Sequence, residues 1–115
     1  MSEVVKRPWG YYNVLHTVGD HVKLKELTVE PKMCLSMQRH HKRAEFWFVA
    51  EGEATVYTLR EANTDYELKC SLKMHESTFI KLSEWHMLCN ESEQPLKLIE
   101  IQYGEECIED DIVRK

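Results

Sequence analysis

Apolar residues along this chain alternate with polar ones at a period of two, in short runs punctuated by turn signals, which is the pattern of half-buried β-strands. It predicts strands at Tyr11–His16, Val22–Val29, Cys34–His40, Glu45–Ala50, Ala54–Leu59, Tyr66–Leu72, Ser77–Leu82, His86–Asn90 and Leu96–Tyr103. In Val22–Val29 the alternation slips near Glu26, which predicts a bulge or a change of face. Phe46–Ala50 is apolar at successive positions and therefore belongs in mid-sheet with both faces covered, one by the barrel interior and the other by a second sheet or a partner subunit. Glu51-Gly52-Glu53 supplies a hairpin turn. Pro31-Lys32, Ala62-Asn63-Thr64-Asp65 and Ser92-Glu93-Gln94-Pro95 read as further loops. No segment sustains a helical period, so the expected class is an all-β barrel or jelly roll.

A chain of 115 residues with 43% hydrophobic and 30% charged residues forms one domain, taken as 1–115, with one core. Its 15 basic and 20 acidic residues give a formal charge of −5, with no basic run, which argues against a nucleic-acid partner. There is no signal-peptide core and no apolar stretch long enough to cross a bilayer. Cys34, Cys70, Cys89 and Cys107 are scattered and form no Cys-x-x-Cys pair. They are expected to be small buried apolar groups in a cytoplasmic, reduced protein.

Chemistry concentrates in one place. Gln38 and His40 lie two apart on a strand and so share a face. Glu45 can return on the next strand, and His86 follows the apolar Phe79-Ile80-Lys81-Leu82. Glu45 adjoins the apolar run Phe46–Ala50, where an unpaired carboxylate is costly to bury. One divalent cation would offset the desolvation of all four groups. Two imidazoles and two oxygen donors suit Zn foremost, with Mn, Co, Ni or Fe also accommodated. His41, adjacent to His40, must face the other way. His16, His21 and His75 have no matching companions.

The stretch from Leu35 to Gly52, containing Gln38-Arg39-His40-His41-Lys42-Arg43-Ala44-Glu45-Phe46-Trp47, resembles the first cupin motif of type II mannose-6-phosphate isomerases. Arg7-Pro8-Trp9-Gly10-Tyr11-Tyr12 resembles their opening motif. Pro95–Gly104 and Glu109-Asp110-Asp111-Ile112-Val113-Arg114 resemble the end of the same domain. The resemblance runs from about Arg7 to Arg114 and implies a cupin, the double-stranded β-helix or jelly-roll barrel, with Gln38, His40, Glu45 and His86 as metal ligands. It implies interconversion of mannose 6-phosphate and fructose 6-phosphate through an enediolate. Relatives are often fused to a guanylyltransferase. This chain has no Gly-rich nucleotide loop, so no nucleotidyl transfer is expected of it. It also departs from the motifs. The Gly usual after Pro31 is Lys32, the Pro of the second motif is Lys81, and that motif's Gly is missing from Leu82-Ser83-Glu84-Trp85.

Such an isomerase needs a general base. Glu100 is the expected one, since Leu98, Glu100 and Gln102 share a strand face and burial raises a carboxyl pKa. His41 and Lys81 are its rivals, and Arg43 completes the expected catalytic pair. The phosphate of the sugar substrate is assigned to Arg43, Lys81 and Arg114 at the barrel mouth. Trp47 and Trp85 read as core packing or an apolar wall. Two other readings compete with the isomerase: an iron-dependent oxygenase, and a sugar-binding module without catalysis. The two-sided apolar strand at Phe46–Ala50 suggests a homodimer.

Overall fold

The computed structural model describes residues 3–61 and 65–115, and among them there is no helix. The strands are β1 (Val4–Arg7), β2 (Gly10–Val18), β3 (Val22–Val29), β4 (Gln38–Arg39), β5 (Arg43–Glu51), β6 (Ala54–Thr58), β7 (Glu67–Leu72), β8 (Ser77–Ile80), β9 (Met87–Cys89), β10 (Leu96–Gly104) and β11 (Val113–Arg114). Six of them form one antiparallel sheet in the order β1-β2-β3-β10-β5-β8. A three-stranded sheet, β7-β6-β9, and the short pair β11-β4 complete the structure. Leu27, Val49 and Leu98 of the large sheet share a core with Val56, Leu72 and Leu88 of the small one, so the two sheets face each other. This is the cupin jelly roll.

Strand register explains how a site arises inside the barrel. Across the large sheet, Tyr12, Leu27, Leu98 and Val49 are successive cross-strand partners, all buried. Two residues further along, the inward partners are Lys25, Glu100 and Trp47. The next inward set is Gln102, Glu45 and Ile80. The interior therefore passes from an apolar floor to a polar end within four residues of strand. That gradient, not a bulge, is what interrupts the alternation in β3. Its pairing with β10 runs from Val22 to Val29 without a shift, and the irregularity lies in β2 between Val14 and His16.

Of the two covers expected for the outer face, the second sheet is absent from that face among the described residues. Leu24, Ile101, Phe46 and Phe79 form a cross-strand row on the outside of the large sheet. It is not covered within one chain: Phe46 is half-buried and Phe79 is 58% exposed. β5 does lie inside the sheet, between β10 and β8. β1 and β11 were missed because each is short; β1 pairs with the adjacent β2, whereas β11 gains its hydrogen bonds from the distant β4. The expected strand Cys34–His40 shrinks to Gln38–Arg39, with an isolated bridge at Cys34. Most of the expected loop at 62–65 lies outside the described residues.

The expectation of four reduced cysteines is also corrected, because Cys34 and Cys89 form a disulfide. They are antiparallel bridge partners, a proximity that a separation of 55 residues conceals in the sequence. Cys70 and Cys107 are free. No helix of the described residues is long and apolar enough to cross a membrane.

Two departures from the motif glycines have a visible consequence. Lys32 and Ser83 adopt φ of 66° and 63°, the left-handed region that costs a residue with a Cβ roughly 1–2 kcal/mol. Lys32→Gly and Ser83→Gly are each expected to raise stability by up to about 1 kcal/mol, the gain being reduced by glycine's greater unfolded-state entropy. Thermal denaturation of the two variants checks this.

Candidate metal centre

His40, Glu45 and His86 converge from three separate places in the chain. His40 follows β4, Glu45 lies on β5, and His86 immediately precedes β9. Their ligand atoms lie within 4.8 Å of one another and all three residues are buried. Gln38 and His86 exchange two backbone hydrogen bonds of 2.9 Å, so they are directly opposed across an antiparallel bridge. Gln38 lines the same pocket as the other three. Three of the four expected ligands are thus brought together, with Gln38 on the wall of the same pocket.

The surroundings fix what each group offers. His40 Nδ1 donates to the Asp111 carbonyl at 2.7 Å, and His86 Nδ1 donates to the Glu84 carbonyl at 2.9 Å. Each imidazole is thereby left with its Nε2 lone pair toward Glu45, at 3.3 Å from Oε2 for His40 and 4.0 Å from Oε1 for His86. Burial, reinforced by Arg43, lowers the His40 pKa to about 4, and burial lowers that of His86 as well. Both rings are neutral near pH 7. Two lone pairs converging on a carboxylate make an arrangement of acceptors that a divalent cation satisfies. The buried Gln102 Oε1, which has no hydrogen-bond partner, is a further acceptor on the pocket wall. The residues fit a first-row divalent ion.

Glu45 is held on two sides. Trp47 Nε1 donates to Oε1 at 2.8 Å, and Arg43 Nε donates to Oε2 at 3.0 Å. Trp47 was expected to be packing or wall, and it is also a hydrogen-bond donor to the Glu45 carboxylate. Arg43 is corrected more strongly. It is buried, not at the mouth, and its guanidinium also reaches His40 Nε2 at 3.3 Å and the Ile108 carbonyl at 3.1 Å. The reason is electrostatic: Glu45 needs a counter-charge in the interior, and Arg43 is two residues away on the same strand face. A cation bound through Glu45 Oε2 and His40 Nε2 competes with Arg43 for both atoms.

Glu100 faces the interior and is buried, as expected. Burial and the neighbouring Glu45 carboxylate push its pKa up to about 8. Gln102 Nε2 donates to Glu100 Oε1 at 2.8 Å. Arg114 is opposite Gln38 in the β4–β11 pair and lines the pocket, although exposed. Lys81 does not belong to the site. It is exposed in the turn after β8, outside the pocket lining, because the strand ends at Ile80 and the chain turns outward. His41 also faces outward, against Ser83 Oγ at 3.1 Å, as adjacency to His40 requires.

Sequence reasoning missed Lys25 and the segment after β10. Lys25 is 5% exposed and lines the pocket, which measures about 460 Å³. The segment 105–112 crosses beside the centre. The Asp111 carboxylate accepts the amides of His41 and Lys42 at 3.0 and 2.8 Å, and Asp111 also provides the carbonyl that orients His40. Lys25 was legible as an in-phase polar residue between Val22 and Leu27. Asp111 gave no such signal.

A family model described as "Mannose-6-phosphate isomerase C-terminal" matches residues 1–115. The chain belongs to that family. Among its curated relatives, the xanthan biosynthesis protein XanB of Xanthomonas campestris pv. campestris is 43% identical over 110 residues, 96% of this chain and 22% of the relative. A mannose-1-phosphate guanylyltransferase of Salmonella muenchen is 42% identical over 96% of this chain and 22% of its own. The alginate biosynthesis protein AlgA of Pseudomonas fluorescens is 40% identical over the same share of this chain and 21% of its own. The chain thus spans about a fifth of the length of these relatives. Among solved structures, CapF, bound to 3-isopropenyl-tropolone, superposes with a TM-score of 0.82 at 12% identity, over 99% of this chain and 34% of that one. Oxalate decarboxylase from Bacillus subtilis gives 0.78 at 15% identity, over 97% and 29%. At such identities the likeness shows the fold alone.

The relatives overturn the expected activity. Interconversion of mannose 6-phosphate and fructose 6-phosphate was inferred from motifs, yet the relatives that match nearly the whole chain include enzymes named mannose-1-phosphate guanylyltransferases. The motifs specify the cupin fold. They do not specify the reaction.

Proposed function

We propose that this chain is a divalent-cation-binding cupin domain that takes a phosphorylated mannose, foremost mannose 1-phosphate, in its pocket. It would serve the sugar-nucleotide chemistry named in its relatives. The observation that carries this reading is the gathering of His40, Glu45 and His86 in a pocket whose wall also holds the cations Arg7, Lys25 and Arg114. When bound, the cation would supply Lewis acidity and a fixed positive charge for sugar hydroxyl oxygens. Gln38, His40, Glu45 and His86 would hold it. Trp47 and Arg43 orient the Glu45 carboxylate. Gln102 Oε1 offers an acceptor to a hydroxyl, and Glu100, which gives up its proton when the cation binds, offers a second one.

Metal analysis of protein purified without added metal or chelator is expected to give one divalent ion per chain. Calorimetric titration with mannose 1-phosphate is expected to show binding that weakens at least tenfold after chelation and returns with the ion. Binding unaffected by chelation, or none to the metal-loaded protein, would overturn the reading.

A further inference from the structure

Lys25 is a charge on the inner face of a sheet, and such a charge needs compensation. Its Nζ lies 4.2 Å from the centre of the Tyr12 ring and 2.9 Å from Glu109 Oε2. Lys23 Nζ reaches the same oxygen at 3.5 Å, so two ammonium groups share one carboxylate oxygen. On the Tyr12 ring a second cation, the Arg7 guanidinium, lies 5.5 Å from the centroid. This wall of the pocket holds more positive than negative charge, in a chain whose formal net charge is −5.

The counter-ion is the unusual member. The Lys25 side chain is 6% exposed, whereas the Glu109 side chain is 53% exposed and belongs to the segment after β10. Glu109 therefore reaches a buried cation from the solvent side and can leave it without losing a buried environment of its own. A permanent structural pair would bury both partners. An exposed carboxylate on a buried ammonium is instead the arrangement that an incoming oxyanion can replace.

We infer that Lys25, with Arg7 beside it across Tyr12, forms an anion subsite for the phosphate group of the ligand, and that Glu109 occupies this subsite as an internal competitor. A phosphate dianion matches two ammoniums and a guanidinium better than a single carboxylate does. Lys25 is the direct cross-strand neighbour of Glu100, so a phosphate on Lys25 places the rest of the molecule beside the metal centre. The inference rests on the proposed function only for the identity of the ligand.

The test uses chelator-treated protein and inorganic phosphate as the probe, with binding followed by calorimetry or amide chemical shifts. Glu109→Gln is expected to tighten phosphate binding at least threefold by removing the competitor. Lys25→Met is expected to weaken it at least tenfold. Should Lys25→Met fail to fold, Glu109→Gln decides alone. Phosphate affinity unchanged in Lys25→Met, or unchanged or weakened in Glu109→Gln, would overturn the subsite. If only the sugar reading is wrong, these phosphate effects persist while metal-loaded protein binds mannose 1-phosphate no more tightly than phosphate.

Discussion

Glu45→Ala is expected to remove divalent-cation binding and, in the cation-free protein, to destabilise the fold by about 3–5 kcal/mol, the cost of stranding one partner of a buried ion pair. Arg43 and Glu45 are both buried, with side chains 6% and 1% exposed, and they form an ion pair at 3.0 Å. Without the carboxylate the guanidinium keeps, among the described residues, the Ile108 carbonyl and the His40 ring nitrogen as acceptors. Trp47 Nε1 loses its acceptor as well. His86→Ala supplies the contrast. It deletes a neutral ring, leaves the Arg43–Glu45 pair whole, and creates a cavity beside Trp47, whose ring centre is 5.6 Å from that of His86. Cation affinity should again fall by roughly a hundredfold or more, since losing a direct ligand exceeds the loss of an outer partner. The stability of the cation-free form should drop distinctly less than in Glu45→Ala. Urea denaturation of the two chelated variants, with cation titrations on both, separates these outcomes. Equal destabilisation would mean that the Arg43–Glu45 pair does not support the interior.

The sequence made Gln38, His40 and Glu45 legible as candidate ligands because each obeys a local rule. Gln38 and His40 are two apart on one face, and the apolar run after Glu45 marks that carboxylate as buried. His86 is reached only through its bridge to Gln38, which no local pattern displays, but the apolar strand before it limited its place. Arg43 shows where such reasoning fails. A basic residue near a motif looks like a ligand-binding group, and only the burial of Glu45 turns it inward as a counter-ion. Lys81 fails for the opposite reason: its neighbours suggest a strand, but pairing ends at Ile80.

The slip in β3 carries the broader lesson. Alternation was read as a rule about hydrophobicity, so a lysine at an inward position looked like a defect of register. In a barrel whose interior passes from floor to binding site, strict inward polarity is what a functional wall requires. Lys25, Glu100 and Gln102 are all in phase with buried apolar residues on their own strands. The segment 105–112 stayed illegible because its role depends on backbone carbonyls and on one aspartate accepting amides from another part of the chain. Those contacts leave no composition signal.

Cation binding at pH 7 is expected to release close to one proton, and the proton comes from Glu100. His40 and His86 are already neutral at that pH, since burial lowers both, so neither ligand has a proton to give. Glu100 differs, because burial and Glu45 push it up to about 8. A divalent charge beside Glu45 removes the repulsion that keeps this proton in place. Calorimetry in buffers of different ionisation enthalpy measures the release, and Glu100→Gln should abolish it while retaining cation binding. The same shifts set the stability of the cation-free form. The folded pKa of His40 is depressed from 6.5 to about 4, so its contribution is full above 6.5 and is lost as pH falls toward 4. His86 acts in the same direction. Glu100 is raised from 4.5 to about 8, so its contribution is full below 4.5 and is lost as pH rises toward 8. Between 4.5 and 6.5 the two histidines outweigh the one carboxyl, and above 6.5 the carboxyl acts alone. These three groups therefore give the cation-free protein a stability maximum near pH 6.5. Saturating cation should flatten the alkaline side of that profile, because the bound ion favours the ionised Glu100 that the empty interior disfavours. A profile unchanged by the ion, or no proton released on binding, would mean that Glu100 is not coupled to the centre.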